Sequence, residues 1–138
     1  MSVRINLSLE DDLFALILKQ AECKKVSPNT EIISILEKIF YNKPFDYSSA
    51  LNKMIEEIPL SFNPGKEFLL NELPCFQDVS MGKFNSFSHK YIPSTHRARL
   101  GSDFKMAVQK KLVPDVSIAK NLDGSEKVIN KTMRYKYK

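Results

Sequence analysis

Glycine is scarce, with four in 138 residues, so no glycine-rich loop is available to cradle a nucleotide phosphate. Cysteine is scarcer still. Cys23 and Cys75 stand far apart, without CxxC or Cys/His ligand spacing, which points to reduced structural thiols rather than a disulfide frame or a zinc site. His89 and His96 have no third ligand near them, so they are read as surface or helix-start side chains. No paired carboxylates lie beside a plausible acid–base partner. These absences argue against an enzyme, and no cofactor or metal is expected. No apolar run approaches the length that spans a bilayer, and the N-terminus lacks a signal peptide's apolar centre and cleavage site. A cytoplasmic protein with no membrane contact is expected.

Charge is present, and unevenly so. The net charge is +5. Residues 1–43 balance six Lys/Arg against six Asp/Glu, residues 44–80 hold two against six, and residues 81–138 hold thirteen against four. A local excess of +9 in the last segment is the electrostatic footprint of a polyanionic partner.

The first forty-odd residues carry the clearest pattern. Val3, Ile5, Leu7 and Leu9 alternate with Ser2, Arg4, Asn6 and Ser8, the period of a half-buried strand. Glu10, Asp11 and Asp12 then put carboxylates at the positive end of a helix, in which Leu13, Phe14, Ile17, Leu18 and Ala21 recur at helical spacing over about 11–25. Ser27 is an N-cap and Pro28 a first-turn proline for a second helix. Its broad apolar face is Ile32, Ile33, Ile35, Leu36, Ile39 and Phe40, and it should run to about Asn42, before Pro44. A lone terminal strand cannot satisfy its own backbone, and a unit this small buries too little surface to fold alone. Two copies answer both needs. Antiparallel pairing of the strands gives a ribbon with its apolar face on four helices and with Arg4, Asn6 and Ser8 outward, a shape that fits the DNA major groove.

The alternation V-R-I-N-L-S-L, the acidic start E-D-D and the turn K-K-V-S-P-N-T resemble the ribbon-helix-helix family of bacterial DNA-binding proteins over residues 2–42. The resemblance implies an intertwined homodimer bound to double-stranded DNA. Arg4, Asn6 and Ser8 would read base edges, and Ser2, Lys25, Ser27, Asn29 and Thr30 would meet phosphates. One departure is plain, because Lys24-Lys25 stands where the turn between the helices usually carries a glycine.

Asp46 can cap a third helix with an apolar stripe of Ala50, Leu51, Met54, Ile55 and Ile58. Pro59, Pro64 and Gly65 mark the best domain boundary. The domains expected are 1–43, a bridging helix and linker over 44–61, and a basic unit over 62–138. In that last unit Phe68, Leu70, Leu73 and Phe76 suggest a short strand leading into a helical turn, and residues 77–90 a long loop. Ser94 can cap one helix through Gly101, in which Leu100, Phe104, Ala107 and Val108 share a face. Val116 and Ile118, the turn Asp123-Gly124 and a return strand from Val128 to Tyr137 then form a hairpin. A helix followed by a basic hairpin is the order of a winged helix. The second nucleic-acid contact expected from it comprises Arg97, Arg99, Lys105, Lys110, Lys111, Lys131, Arg134, Lys136 and Lys138. Phe68-x-Leu70-x-x-Leu73, Arg97-x-x-Leu100-Gly101-x-x-Phe104 and the closing Tyr135-Lys136-Tyr137-Lys138 are also similar to a small bacterial domain family of unknown function found on mobile elements.

The fold class expected is therefore α+β, a ribbon-helix-helix followed by a winged-helix-like domain. The function expected is that of a dimeric, sequence-specific transcriptional regulator, a repressor that occupies a promoter, with higher-order assembly on DNA open to it. Alternatives are an accessory protein of a relaxosome or plasmid-partition complex, or the antitoxin of a toxin–antitoxin pair, with the C-terminal unit then meeting a protein partner.

Overall fold

The computed structural model describes residues 3–41, 45–81, 93–129 and 132–138. Within them the protein is a mixed α+β fold, with five α-helices and a small three-stranded antiparallel sheet. Residues 3–10 belong to neither of the sheets formed.

Helix α1 spans Asp11–Lys24, with Asp11 and Asp12 in its first turn and Lys24 in its last, as the helix dipole favours. It closes through Lys25, which takes the left-handed conformation (φ 61°). Lys25 N–H donates to Glu22 O at 3.1 Å and Val26 N–H to Ala21 O at 3.0 Å, the paired closure that a glycine normally makes. A lysine therefore fills the left-handed position that closes the helix. Helix α2, Pro28–Phe40, starts where the sequence places it, with Ser27 Oγ accepting from Thr30 N–H at 3.1 Å and Pro28 in the first turn. It ends two residues before Asn42, with Tyr41 N–H donating to Glu37 O at 2.7 Å. Helix α3, Tyr47–Ser61, is capped by Asp46, whose carboxylate accepts from Ser49 N–H at 3.0 Å and Ser49 Oγ–H at 2.7 Å.

Of Pro59, Pro64 and Gly65, the residues expected to mark the boundary, the first lies within a helix. Helix α3 runs through Pro59 to Ser61, and Phe62 N–H still reaches Ile58 O at 3.0 Å. The break falls at Asn63–Lys66, where Gly65 adopts φ 93° and Lys66 N–H bonds Asn63 O. Strand β1 is Glu67–Phe68, followed by a 3-10 turn at Leu70–Glu72 and helix α4, Pro74–Ser80. Residues 77–80 are thus helical rather than loop, and the rest of the expected loop, 82–90, lies outside the described residues. Helix α5 is one helix, Pro93–Gln109, passing through Gly101. It starts at Pro93, so Ser94 is its second residue and not its cap.

Strand β2, Val116–Ile118, pairs antiparallel with β5, Tyr135–Tyr137, which also pairs with β1, giving the order β1-β5-β2. Phe68, Tyr135 and Ile118 are in register on the inner face, while Glu67, Lys136 and Ser117 form the outward row. The expected return strand from 128 to 137 is not continuous. β2 offers three residues, enough for 135–137, so the residues before them fold back on themselves as strands β3, Val128–Ile129, and β4, Thr132–Met133. Asp123-Gly124 makes the turn expected, with Gly124 at φ 88° and its N–H on Asn121 O at 3.0 Å.

Among the described residues, nineteen of the twenty-one buried hydrophobic side chains lie between Phe45 and Tyr135; the other two are Ala21 and Val26. Ala50, Leu51, Met54 and Ile58 of α3 join Leu100, Phe104 and Ala107 of α5 and the inner sheet face in one cluster, where Phe104 meets Tyr135 edge-on at 4.9 Å. Helix α3 is therefore part of the second unit's core and not a linker, because its apolar stripe is consumed there. The α1–α2 pair has no comparable core among the described residues. Its loop end, Ala21 to Thr30, is what packs into the rest of the chain.

Candidate nucleic-acid interface

The N-terminal alternation has both of its sides in solvent. Val3, Ile5 and Leu7 are 83, 73 and 63 % exposed, and Arg4, Asn6 and Ser8 between them are exposed as well. Ten of the fourteen exposed large hydrophobics among the described residues fall within 3–41. They include Leu13, Phe14 and Leu16 on α1 and Leu36, Ile39 and Phe40 on α2. Exposed large hydrophobics are thus concentrated in this segment of the described residues.

The phosphate contacts implied at the turn fare differently. Ser2 lies outside the described residues. Lys25 is half-buried and Asn29 exposed. Ser27 and Thr30 are engaged within the chain. Ser27 N–H donates to Asp103 Oδ1 at 3.2 Å, and the Thr30 hydroxyl reaches Asp103 Oδ1 at 3.1 Å and Oδ2 at 2.9 Å. Thr30 is 1 % exposed and Asp103 2 %. In this conformation the N-terminus of α2 is filled by a carboxylate from α5, so Ser27 and Thr30 do not stand open to a phosphate. Burial raises the Asp103 pKa above the ordinary carboxylate range, while hydrogen bonds from Thr30 and Ser27 and the nearby Arg99 charge oppose that rise. Asp103 is a functional candidate that the sequence reading does not single out. The available signal is its spacing, three residues after Leu100 and one before Phe104, which puts an acid on the apolar stripe of a basic helix.

Beside this joint, Lys24 Nζ lies 2.8 Å from Glu31 Oε1, and Glu31 is itself buried with no hydrogen-bond partner for Oε2 among the described residues. His96 is buried too, its ring 4.7 Å from Phe45 and stacked on Tyr47 at 5.8 Å. His96 thus stands in the first turn of α5, at a helix start as expected but with its ring buried, and His89 lies outside the described residues. Among the described residues, no three His, Cys, Asp or Glu side chains are gathered so as to hold a metal. No helix among them is long and apolar enough to cross a membrane.

The basic residues of the second unit do not form one cluster. Arg97 is exposed in the first half of α5, and Lys110 and Lys111 follow its end, about 20 Å further on at 1.5 Å per residue. Arg99 is half-buried with its guanidinium 5.7 Å over the Tyr47 ring. Lys105 sits 3.7 Å from Glu126. Arg134 is half-buried, Lys136 is exposed on the outer sheet face, and Lys131 lies outside the described residues. Lys111 and Lys138 do converge, with Lys120, on a groove of about 640 Å³ that also carries Asp115 and Glu126. Lys120 is absent from the sequence-based set, and so is Lys127, which pairs with Glu67 at 2.8 Å. That bond lowers the Glu67 pKa.

Comparison with protein-family models, with curated proteins and with solved structures finds no match for this chain.

Proposed function

We propose that this protein is a dimeric, sequence-specific DNA-binding regulator that represses by occupying its site. In this reading residues 3–40 of two copies pair as a ribbon-helix-helix, and residues 45–138 form a winged-helix-like unit. The observation that carries it is the doubly exposed alternation of residues 3–8, with an apolar row that a cover would take out of water and a polar row open to a ligand. A second copy supplies the cover by antiparallel pairing, which also satisfies the extended backbone. Arg4 can then grip guanine O6 and N7, Asn6 adenine N6 and N7, and Ser8 either base.

The second unit supports the same reading. Its order α3, β1, α4, α5, β2, β5 with the sheet ordered β1-β5-β2 suits a winged helix, with α5 as the helix nearest the groove and residues 119–134 as the wing. Its surplus of basic charge would meet phosphates and add affinity without sequence preference.

The test is DNA selected by the protein from random or genomic fragments, followed by Arg4→Ala and Asn6→Ala. Each variant should bind the selected DNA more weakly by about 1–3 kcal/mol for each base it no longer grips, counted in both halves of a two-fold dimer, with folding unchanged. Equal binding by wild type and both variants would refute base reading by the ribbon.

A further inference from the structure

Resting on that reading, we infer that the Asp103 carboxylate is an internal stand-in for a DNA phosphate, and that its seat on α2 holds the N-terminal unit in a form of low DNA affinity. The α2 N-terminus is the positive end of a 13-residue helix, the kind of place where an anion is favoured. The structure has this site occupied. Asp103, from a helix 73 residues away in sequence, takes the Ser27 amide and the Thr30 hydroxyl through both of its oxygens, and both Thr30 and Asp103 are buried.

A phosphate and this carboxylate cannot share the same two donors. They are like charges competing for one pocket, and a phosphate enters only when the α1–α2 pair moves away from α5, whose Leu100, Phe104 and Ala107 stay in the core. The bonding is polar, and its apolar surroundings at this joint are small on the α1–α2 side, where Ala21 and Val26 are the buried hydrophobics. Such a joint can open without dismantling the core of residues 45–135. Apparent DNA affinity is the intrinsic affinity scaled by the fraction of open molecules. Weakening the latch therefore tightens DNA binding, the reverse of what breaking a structural hydrogen bond usually does.

The experiment measures binding of the full chain to its selected DNA at one ionic strength, for wild type, Asp103→Asn, and a charge-matched control, Glu56→Gln, on the exposed side of α3. Asp103→Asn keeps the shape and removes the charge. The expected result is about tenfold tighter binding by Asp103→Asn, a factor worth ~1.4 kcal/mol, with no change for Glu56→Gln. The gain should persist at the same factor when Arg4→Ala is added, because that change lowers the intrinsic affinity and leaves the open fraction alone. Hydrogen exchange on the wild type supplies a second arm that needs no variant to fold. Adding DNA should raise exchange in residues 99–107, where the face of α5 loses the cover of α1–α2.

The inference is overturned if ribbon variants weaken DNA binding while Asp103→Asn binds no tighter than the control, or if exchange in 99–107 is unaltered by DNA. Should Arg4→Ala and Asn6→Ala leave wild-type binding unchanged, the underlying ribbon reading fails and takes the latch with it.

Discussion

Ile5→Asp separates folding from association in this molecule. Ile5 is 73 % exposed in the single chain and stands outside the core cluster. In a monomer the substitution should cost no more than a surface change, within about 0.5 kcal/mol. In the proposed dimer Ile5 is buried, and full burial of such a side chain is worth about 1.5–3 kcal/mol. Two-fold symmetry counts the loss twice, giving ~3–6 kcal/mol before the added cost of burying two carboxylates close together. At 1.4 kcal/mol per decade, the dimer dissociation constant should rise by about a hundred- to ten-thousand-fold. Sedimentation velocity across a concentration series reads this directly. Circular dichroism on the same samples should find the unit of residues 45–138 still folded, whereas Leu51→Asp in the core should unfold it. A wild type that stays monomeric at every concentration would refute the reasoning, as would an Ile5→Asp variant that associates as tightly as wild type.

Two exchanges involving glycine test the backbone account. Lys25→Gly relieves a left-handed lysine, an effect of about 1–2 kcal/mol, against about 0.5–1 kcal/mol of extra chain entropy to be lost on folding. The net should be a gain of roughly 0.5–1 kcal/mol, or about 2–4 °C in Tm for a chain of this size; Lys25→Ala should give no such gain. Gly101→Ala should stabilise by a similar ~0.5–1 kcal/mol, since a Cβ there would meet Leu70 Cδ1 at 3.8 Å, an ordinary separation. Calorimetric scans that put either Tm below wild type would contradict the assignment. For the thiols, burial and then the Glu57 charge push Cys75 up to about 12, whereas Cys23 is exposed. A thiol reagent at neutral pH should label Cys23 quickly and Cys75 only on unfolding, and equal labelling rates would show Cys75 to be accessible.

What is legible in the sequence is what local chemistry decides. Ser27 and Asp46 cap α2 and α3 because a hydroxyl or carboxylate meets a free amide within three residues. Helix α5 continues through Gly101 because Leu100 and Phe104 stay in phase, and packing offsets the cost of one glycine. The failures are tertiary. Pro59 looks like an end, yet Ile58 is buried beside it and carries α3 onward. The return strand breaks because its pairing partner, β2, is three residues long, a length set by the fold and not by residues 128–134. Asp103 is visible as an acid on an apolar face, but its partner Thr30 cannot be named from the sequence, since the two meet across 73 residues.

The distribution of apolar surface explains how these parts work together. Among the described residues, 45–138 hold nearly all of the buried core, and 3–41 hold most of the exposed hydrophobics. In the proposed dimer, residues 45–138 fold on their own account and the order of residues 3–41 depends on a second copy. On the proposed reading, stability of the ribbon is then linked to protein concentration by mass action, and so is DNA affinity, because the readers Arg4, Asn6 and Ser8 are aligned only in a paired strand. Dilution below the dimer dissociation constant should cost both at once. The Asp103 seat acts on the same equilibrium from the other side, since a carboxylate that occupies the start of α2 restrains the pair α1–α2 whether or not a second copy is present.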